Sequence, residues 1–199
     1  MATATPTLKF TIEQYDLMIE AGVFARPPVP REPLQEPPRV ELIEGEIVMM
    51  SPIGSRHEEI VDRLAAWSFR CLPEDVARVR IQQSLGIAGR QSVPQPDVAW
   101  VQPRDYAARR PEAADALLVI EVAETSLSYD LGEKAAIYAA GGVPDYWVVD
   151  AAAEIVHILR MPGPLAYAER RVAGRGELIA PRVRPDAVLA VESLFGRRP

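Results

Sequence analysis

Cysteine is almost absent from this chain: Cys71 is the only one. A lone thiol excludes an intrachain disulfide framework and a cysteine zinc site, and it fits a reducing cytoplasm. Cys71 itself, at the end of an apolar helical stretch, reads as a small core residue. Long apolar runs are missing too, so no segment approaches the roughly 20 residues that span a bilayer. The opening Met1-Ala2-Thr3-Ala4-Thr5-Pro6 has neither a charged region nor an apolar core, so no signal peptide is expected. Basic residues are in deficit, with 22 Lys and Arg against 28 Asp and Glu, a net charge of −6. That balance argues against a broad electrostatic grip on nucleic acid. It leaves room for a local basic patch, metal-assisted chemistry or a non-nucleic partner. What remains is an ordinary globular composition, 48% hydrophobic and 25% charged, over 199 residues. One domain spanning residues 1–199 is the expectation.

Thr11-Ile12-Glu13-Gln14 has the pattern of a capping box, and Ile12, Tyr15, Ile19 and Val23 recur at helical spacing, predicting a helix over 11–22. Prolines at 27, 28, 30, 33, 37 and 38 make 26–38 an extended connector. Val40 to Met50 reads as a hairpin turning at Glu44-Gly45. Ser55 is a candidate cap for a helix whose stripe is Ile60, Leu64 and Trp67, widened by Val61, Ala65 and Phe69 and closed at Cys71-Leu72-Pro73. Strands are predicted over Val76–Ile87, Val98–Val101, Ala116–Ala123, Tyr146–Val149 and Ile155–Leu159, with edge strands at Tyr167–Val172 and near Leu178. Pro103–Asp115 reads as a surface loop with a helical turn. A helix covers Asp130–Ala140 and stops at Gly141-Gly142. The order predicts a mixed α/β fold, a central mixed sheet flanked by helices.

Glu121 interrupts the longest apolar run, Ala116–Ala123. An ionised carboxylate buried in such a strand costs several kcal/mol, on the order of the desolvation of a lone charge, unless it is neutralised. Asp97, after Pro96 at the start of the next strand upstream, is a second acid. Adjacent strands lie about 4.8 Å apart, so two such carboxylates can share one divalent ion. Mg2+, or Mn2+, suits a few carboxylates completed by water and phosphate oxygens. Lys134 offers a cation to orient a water or to offset negative charge developing on phosphorus. Asp97, Glu121 and Lys134 are thus the candidate catalytic residues, and Asp97 and Glu121 the candidate metal ligands.

Residues 39 to 150 resemble the Uma-type family of putative restriction endonucleases, a branch of the PD-(D/E)XK nuclease superfamily. The resemblance rests on Glu41-Leu42-Ile43-Glu44-Gly45-Glu46-Ile47, Met50-Ser51-Pro52, His57, Pro96-Asp97 and Ile120-Glu121-Val122. It continues through Ser126, Tyr129-Asp130, Lys134, Tyr138 and Pro144-Asp145-Tyr146-Trp147-Val148-Val149-Asp150. It implies a restriction-endonuclease-like core and Asp97 and Glu121 as metal carboxylates. The superfamily pattern places its lysine two residues beyond the glutamate, where this chain has Ala123. In this branch the lysine looks displaced to the following helix, which makes Lys134 the candidate.

Four accessory residues follow. Glu41, opening a strand, is a third acidic ligand, a water-orienting group or a surface acid. His57 is a phosphate or water contact, or a helix-start histidine with ordinary hydrogen bonds. Gln82, on a strand, could face the same cleft. Tyr138, one turn beyond Lys134, shapes the lysine's surroundings or belongs to the core. Asp130 could pair with Lys134. His157 reads as structural. Arg104, Arg109 and Arg110 could grip phosphate, but a solvated loop is the simpler reading. These residues predict a Mg2+-dependent DNA endonuclease, with a homodimer as a possible assembly and no membrane association. A catalytically silent binding or assembly module and a metal hydrolase of a small phosphoester are the alternatives.

Overall fold

The computed structural model describes residues 7–25 and 38–196. Apart from Pro38, the connector predicted over 26–38 lies outside the described residues. The N-terminal helix α1 (Ile12–Glu20) begins with the expected capping box, Thr11 accepting from the Gln14 N–H while the Gln14 side chain accepts from Thr11 N–H. It ends before Gly22, which takes a left-handed conformation. Tyr15 anchors it, burying its ring against Val40, Leu42 and Val93 and donating to the Val40 carbonyl at 2.9 Å.

Strands β1 (Val40–Ile43) and β2 (Glu46–Met49) form the predicted hairpin. Glu44 and Gly45 both carry positive φ, 52° and 80°, which suits a two-residue hairpin turn. Helix α2 (Ser55–Cys71) follows, and its N-cap is Gly54, with no side-chain hydrogen bond; Ser55 is the first helical residue rather than the cap. Ile60, Val61, Leu64 and Trp67 bury as predicted. Phe69 does not: it is 64% exposed, and Ser68 is buried in its place, accepting from Trp100 Nε1 at 2.9 Å.

The central sheet has six strands: β3 (Arg78–Ile81), β4 (Val98–Val101), β5 (Ala116–Ala123), β6 (Asp145–Asp150), β7 (Ile155–Pro162) and β8 (Tyr167–Ala173). They lie in sequence order, with β3 and β8 at the edges. Only β5 and β6 are parallel. The strand expected over Val76–Ile87 is cut short because Gln82 turns to φ 50°. Short strands β9 (Leu178–Ile179) and β10 (Leu189–Ala190) pair separately. No helix among the described residues is long and apolar enough to cross a membrane.

A parallel pair demands a crossover, and here it is helical. It runs as α3 (Leu127–Tyr129), a π-helical segment (Asp130–Lys134) and α4 (Ala135–Ala140). The helix thus begins earlier than predicted and is widened in its middle. Gly142, at φ 82°, ends it.

Two cores sandwich the sheet. Val98, Trp100, Ile120, Val122 and Trp147 pack against α2, with Trp67 stacked 5.0 Å from Trp100 and 6.0 Å from Trp147. Ala99, Val119, Ala123, Tyr146 and Val148 pack on the opposite face, against the crossover helix and Ile43 of β1. The period of two therefore puts Asp97 and Glu121 on that second face.

The hairpin turn holds β1 in place through three further bonds: Phe10 N–H to Gly45 O, Gly45 N–H to Gln91 O, and Glu44 N–H to Ser92 Oγ. A Cβ on Gly45 would meet the Phe10 carbonyl at 3.0 Å as well as strain the backbone. Gly45→Ala is expected to destabilise the protein by roughly 1–3 kcal/mol, read as a lower urea midpoint with an unchanged slope.

Candidate active site

Three separate elements deliver the acids. The β4–β5 register pairs Val98 with Ile120 and Ala99 with Val119, and one step further sets Asp97 opposite Glu121. Like charges directly opposite each other destabilise a sheet, so this pairing is one that folding alone would disfavour. Glu41 comes from β1, on the same side of that strand as Ile43, and is 3% exposed. It is a buried acid, not a surface one. Asp97 and Glu121 are likewise buried, at 6% and 4%.

Lys134 arrives from the crossover helix. Its Nζ lies 3.1 Å from Glu121 Oε1 and 3.3 Å from Glu41 Oε1. Tyr138, four residues on and on the same helical face, donates to Glu121 Oε1 at 2.8 Å. The π-helical segment ends at Lys134, and such segments concentrate at functional sites because they re-aim the side chains that follow them. Lys134 is one of only two lysines in the chain, the other being Lys9. Asp130 does not pair with Lys134 as expected; its carboxylate accepts from Ser126 Oγ at 2.5 Å. Tyr146 Oη caps the Asp130 carbonyl at 2.9 Å, tying the π segment to β6.

Asp97 is held from the other direction. Its Oδ1 is bonded by His57 Nε2 at 2.9 Å and by Gln82 Nε2 at 3.1 Å, and its Oδ2 accepts the Val122 N–H at 2.8 Å. Gln82 sits just beyond β3, not within it, and its left-handed backbone turns the amide towards Asp97. Glu41, His57, Gln82, Asp97, Glu121 and Lys134 all line one open cleft of about 410 Å3. Tyr138 lies behind it, against Glu121.

Other predicted residues stand apart. Arg104 and Arg109 pair with Asp115, and Arg110 with Asp16 of α1. His157, on β7, is not among the cleft-lining residues. Residues to which the sequence assigned no role also join the cleft: Gln95, Glu124 and Tyr129. The Gln95 N–H donates to Glu41 Oε1 at 2.5 Å, and the buried Tyr129 hydroxyl has no partner among the described residues. The signal for Gln95 was its place before Pro96, which holds it extended beside Asp97.

Negative charge outnumbers positive charge in this cleft. Burial pushes the Glu121 carboxyl up to about 8, and the Asp97, Asp130 and Glu41 charges add to what Lys134 offsets. Burial opposes the Lys134 charge, but Glu121, Glu41 and Asp130 outweigh it and raise its pKa, so it stays an ammonium ion. Burial likewise opposes the Asp97 charge, yet His57, the Val122 N–H and Gln82 hold its carboxyl below the usual range. His57, buried but facing Asp97 and Glu124, keeps its proton to higher pH than usual.

The donor set fits a hard divalent cation. No three His, Cys, Asp or Glu side chains among the described residues form a ready-made cage. An ion would therefore rest on Asp97 and Glu121, completed by water and substrate oxygens, as Mg2+ prefers. The hydrogen bonding leaves those ligands room. Asp97 Oδ1 and Glu121 Oε1 each already take two donors. Asp97 Oδ2 takes one, and Glu121 Oε2 only a long 3.4 Å contact from the Asp97 N–H. One oxygen of each acid thus keeps an open lone pair.

The Glu121 shift has a consequence for stability. A carboxyl raised in the folded state stabilises fully below its unfolded value of about 4.5, and that contribution is lost as pH rises through about 8. Thermal melts should show wild type losing stability relative to Glu121→Gln between pH 5 and pH 8, without added metal. Parallel profiles for the two proteins would contradict the assigned shift.

Comparison with known proteins agrees with this architecture. The Uma2 family, described as "Putative restriction endonuclease", matches residues 28–192, a span that includes every residue of the cleft. No curated protein matches the chain. Among solved structures, a putative nuclease belonging to DUF820 from Anabaena variabilis superposes with a TM-score of 0.66. The match covers 94% of this chain and 97% of that one at 17% identity, a likeness of fold. With its mixed six-stranded sheet and a family match over most of its length, the chain belongs to the Uma2 family of putative restriction endonucleases.

Proposed function

We propose that this protein is a Mg2+-dependent endonuclease of the PD-(D/E)XK type that hydrolyses phosphodiester bonds in DNA. The observation that carries the reading is the convergence of Asp97, Glu121 and Lys134 in one open cleft, with Lys134 Nζ 3.1 Å from Glu121. Neither a buried ion pair nor a core polar network needs a second carboxylate placed directly across the strand from the first. A divalent ion resting there does.

Held by Asp97 and Glu121, Mg2+ or Mn2+ would supply water activation and neutralise charge on the phosphoryl group. The chain's own groups do the rest. His57 and Gln82 fix the Asp97 carboxylate by saturating its Oδ1. Tyr138 and Lys134 do the same for Glu121 Oε1, so each acid presents its open oxygen in a set direction. An ammonium ion has three N–H groups, and Glu41 and Glu121 occupy two of those on Lys134. The third is left for the attacking water or a phosphoryl oxygen, where a fixed positive charge favours the transition state. Glu41 holds the lysine between two acids and is held in turn by the Gln95 N–H.

Protons compete with the metal for Glu121, which links rate to pH. Mg2+-dependent cleavage should rise as pH increases towards about 8, where Glu121 sheds its proton, and should then level off. Asp97→Ala should lower plasmid cleavage at least 100-fold, on the order of the loss of a metal-orienting group, while the variant still melts cooperatively. Cleavage at the wild-type rate by Asp97→Ala would rule this site out. Cleavage by neither protein, at any pH and with either metal, would favour a silent binding module on the same fold.

A further inference from the structure

Most of the described arginines are ion-paired with carboxylates. Among the described residues six are not: Arg39, Arg70, Arg78, Arg80, Arg170 and Arg182. One of these, Arg39, sits at the cleft, and Arg78 and Arg80 lie on β3, four and two residues before the cleft-lining Gln82. Arg39, exposed just before β1, lies across two cleft-lining glutamines, with Nη1 3.4 Å from Gln82 Oε1 and Nη2 3.4 Å from Gln95 Oε1. Arg78 and Arg80 occupy alternate positions on β3, opposite Val101 and Ala99. They therefore project from the same sheet face as Asp97 and Glu121. Two residues of strand advance about 6.7 Å, so the guanidinium groups are stepped along the outer edge of the sheet.

Their bonding is incomplete. Arg78 Nη1 reaches only the Arg104 carbonyl, at 3.4 Å. Arg80 lies over the Tyr106 ring at 5.8 Å, and its Nε is buried with no acceptor among the described residues. The charged neighbour that acts on Arg80 is Arg78, a like charge that adds to the effect of burial. Two guanidinium groups on one strand face without carboxylate partners form an arrangement that an anion would complete. Such an arrangement matters in a chain of net charge −6 whose cleft is itself acidic, because the net charge repels an approaching polyanion.

Resting on the nuclease reading above, we propose that Arg39, Arg78 and Arg80 form a phosphate track that carries the backbone of duplex DNA along the β3 edge into the cleft. The guanidinium fork matches phosphate oxygens, and the contacts are independent of base sequence. The arginines singled out by the sequence, Arg104, Arg109 and Arg110, are taken up by Asp115 and Asp16 and are not part of the track.

The test is fluorescence anisotropy of a short labelled duplex with the full-length protein, in Ca2+, over a series of salt concentrations. Each neutralised phosphate contributes about 0.9 to the slope of log affinity against log salt. Arg78→Gln/Arg80→Gln should weaken binding and lower that slope by about 1.8, because two phosphates are then left without a guanidinium partner. Arg78→Lys/Arg80→Lys should restore most of the slope. Arg170→Gln, which removes an unpaired arginine on the opposite sheet edge, should leave it unchanged. Should the double variant fail to melt cooperatively, the exposed Arg78→Gln alone should lower the slope by about 0.9. A double variant that binds like Arg170→Gln would overturn the track while leaving the cleft chemistry standing. Wild-type protein that cleaves a small phosphodiester but does not bind the duplex would overturn both the track and DNA as substrate. Wild type that neither binds nor cleaves would overturn the nuclease reading itself.

Discussion

The buried carboxylate of Glu121 governs this structure. It sits in the central strand of the sheet, directly across from Asp97, where hydrophobic burial and like-charge repulsion both work against it. Lys134 offsets part of that cost, and Tyr138 fills one oxygen, but Asp97, Glu41 and Asp130 tip the balance back towards negative charge. Glu121 answers that balance by keeping its proton up to about pH 8, and above that pH its charge calls for a further cation. On the proposed reading a divalent cation, which favours oxygen ligands, supplies the balancing charge when Glu121 is ionised.

The fold serves this one carboxylate from several directions. The parallel β5–β6 pair requires a crossover, and the crossover helix lays Lys134 and Tyr138 over Glu121. The β1–β2 hairpin, pinned at Gly45 and Ser92, brings Glu41 to the far side of the lysine. Helix α2 packs its apolar stripe on the opposite sheet face, yet its first turn carries His57 past the end of β4 to Asp97. Trp67 of α2 stacks on Trp100 of β4 and Trp147 of β6, packing the helix closely onto the sheet beneath the site. Rigidity on one face and polarity on the other are consequences of the same alternation along β4, β5 and β6.

Much of this was legible in the residues. An eight-residue apolar run with one acid in it announces both a buried strand and a site, because the two requirements conflict. The Glu44-Gly45 turn and the Thr11 capping box are local signals, and local signals survive folding unchanged. The failures were non-local. Gln82 leaves the strand because its amide is needed at Asp97, which alternation in Val76–Ile87 does not encode. The π segment that ends at Lys134 reads in sequence as ordinary helix. Phe69 fits a helical stripe by spacing alone, but Ser68 wins the buried place through its bond to Trp100, a partner 32 residues away. Whether an arginine is free or paired depends on which carboxylates the fold brings near, so Arg104 and Arg78 look alike in sequence and differ in structure.

The central claim is that Asp97 and Glu121 share one divalent ion. Calorimetric titration of the protein with Mn2+ at pH 8 tests it most directly, with Asp97→Ala and Glu121→Gln measured alongside. The account predicts one binding event in wild type that disappears in both variants. Binding that survives either substitution at wild-type affinity would contradict it.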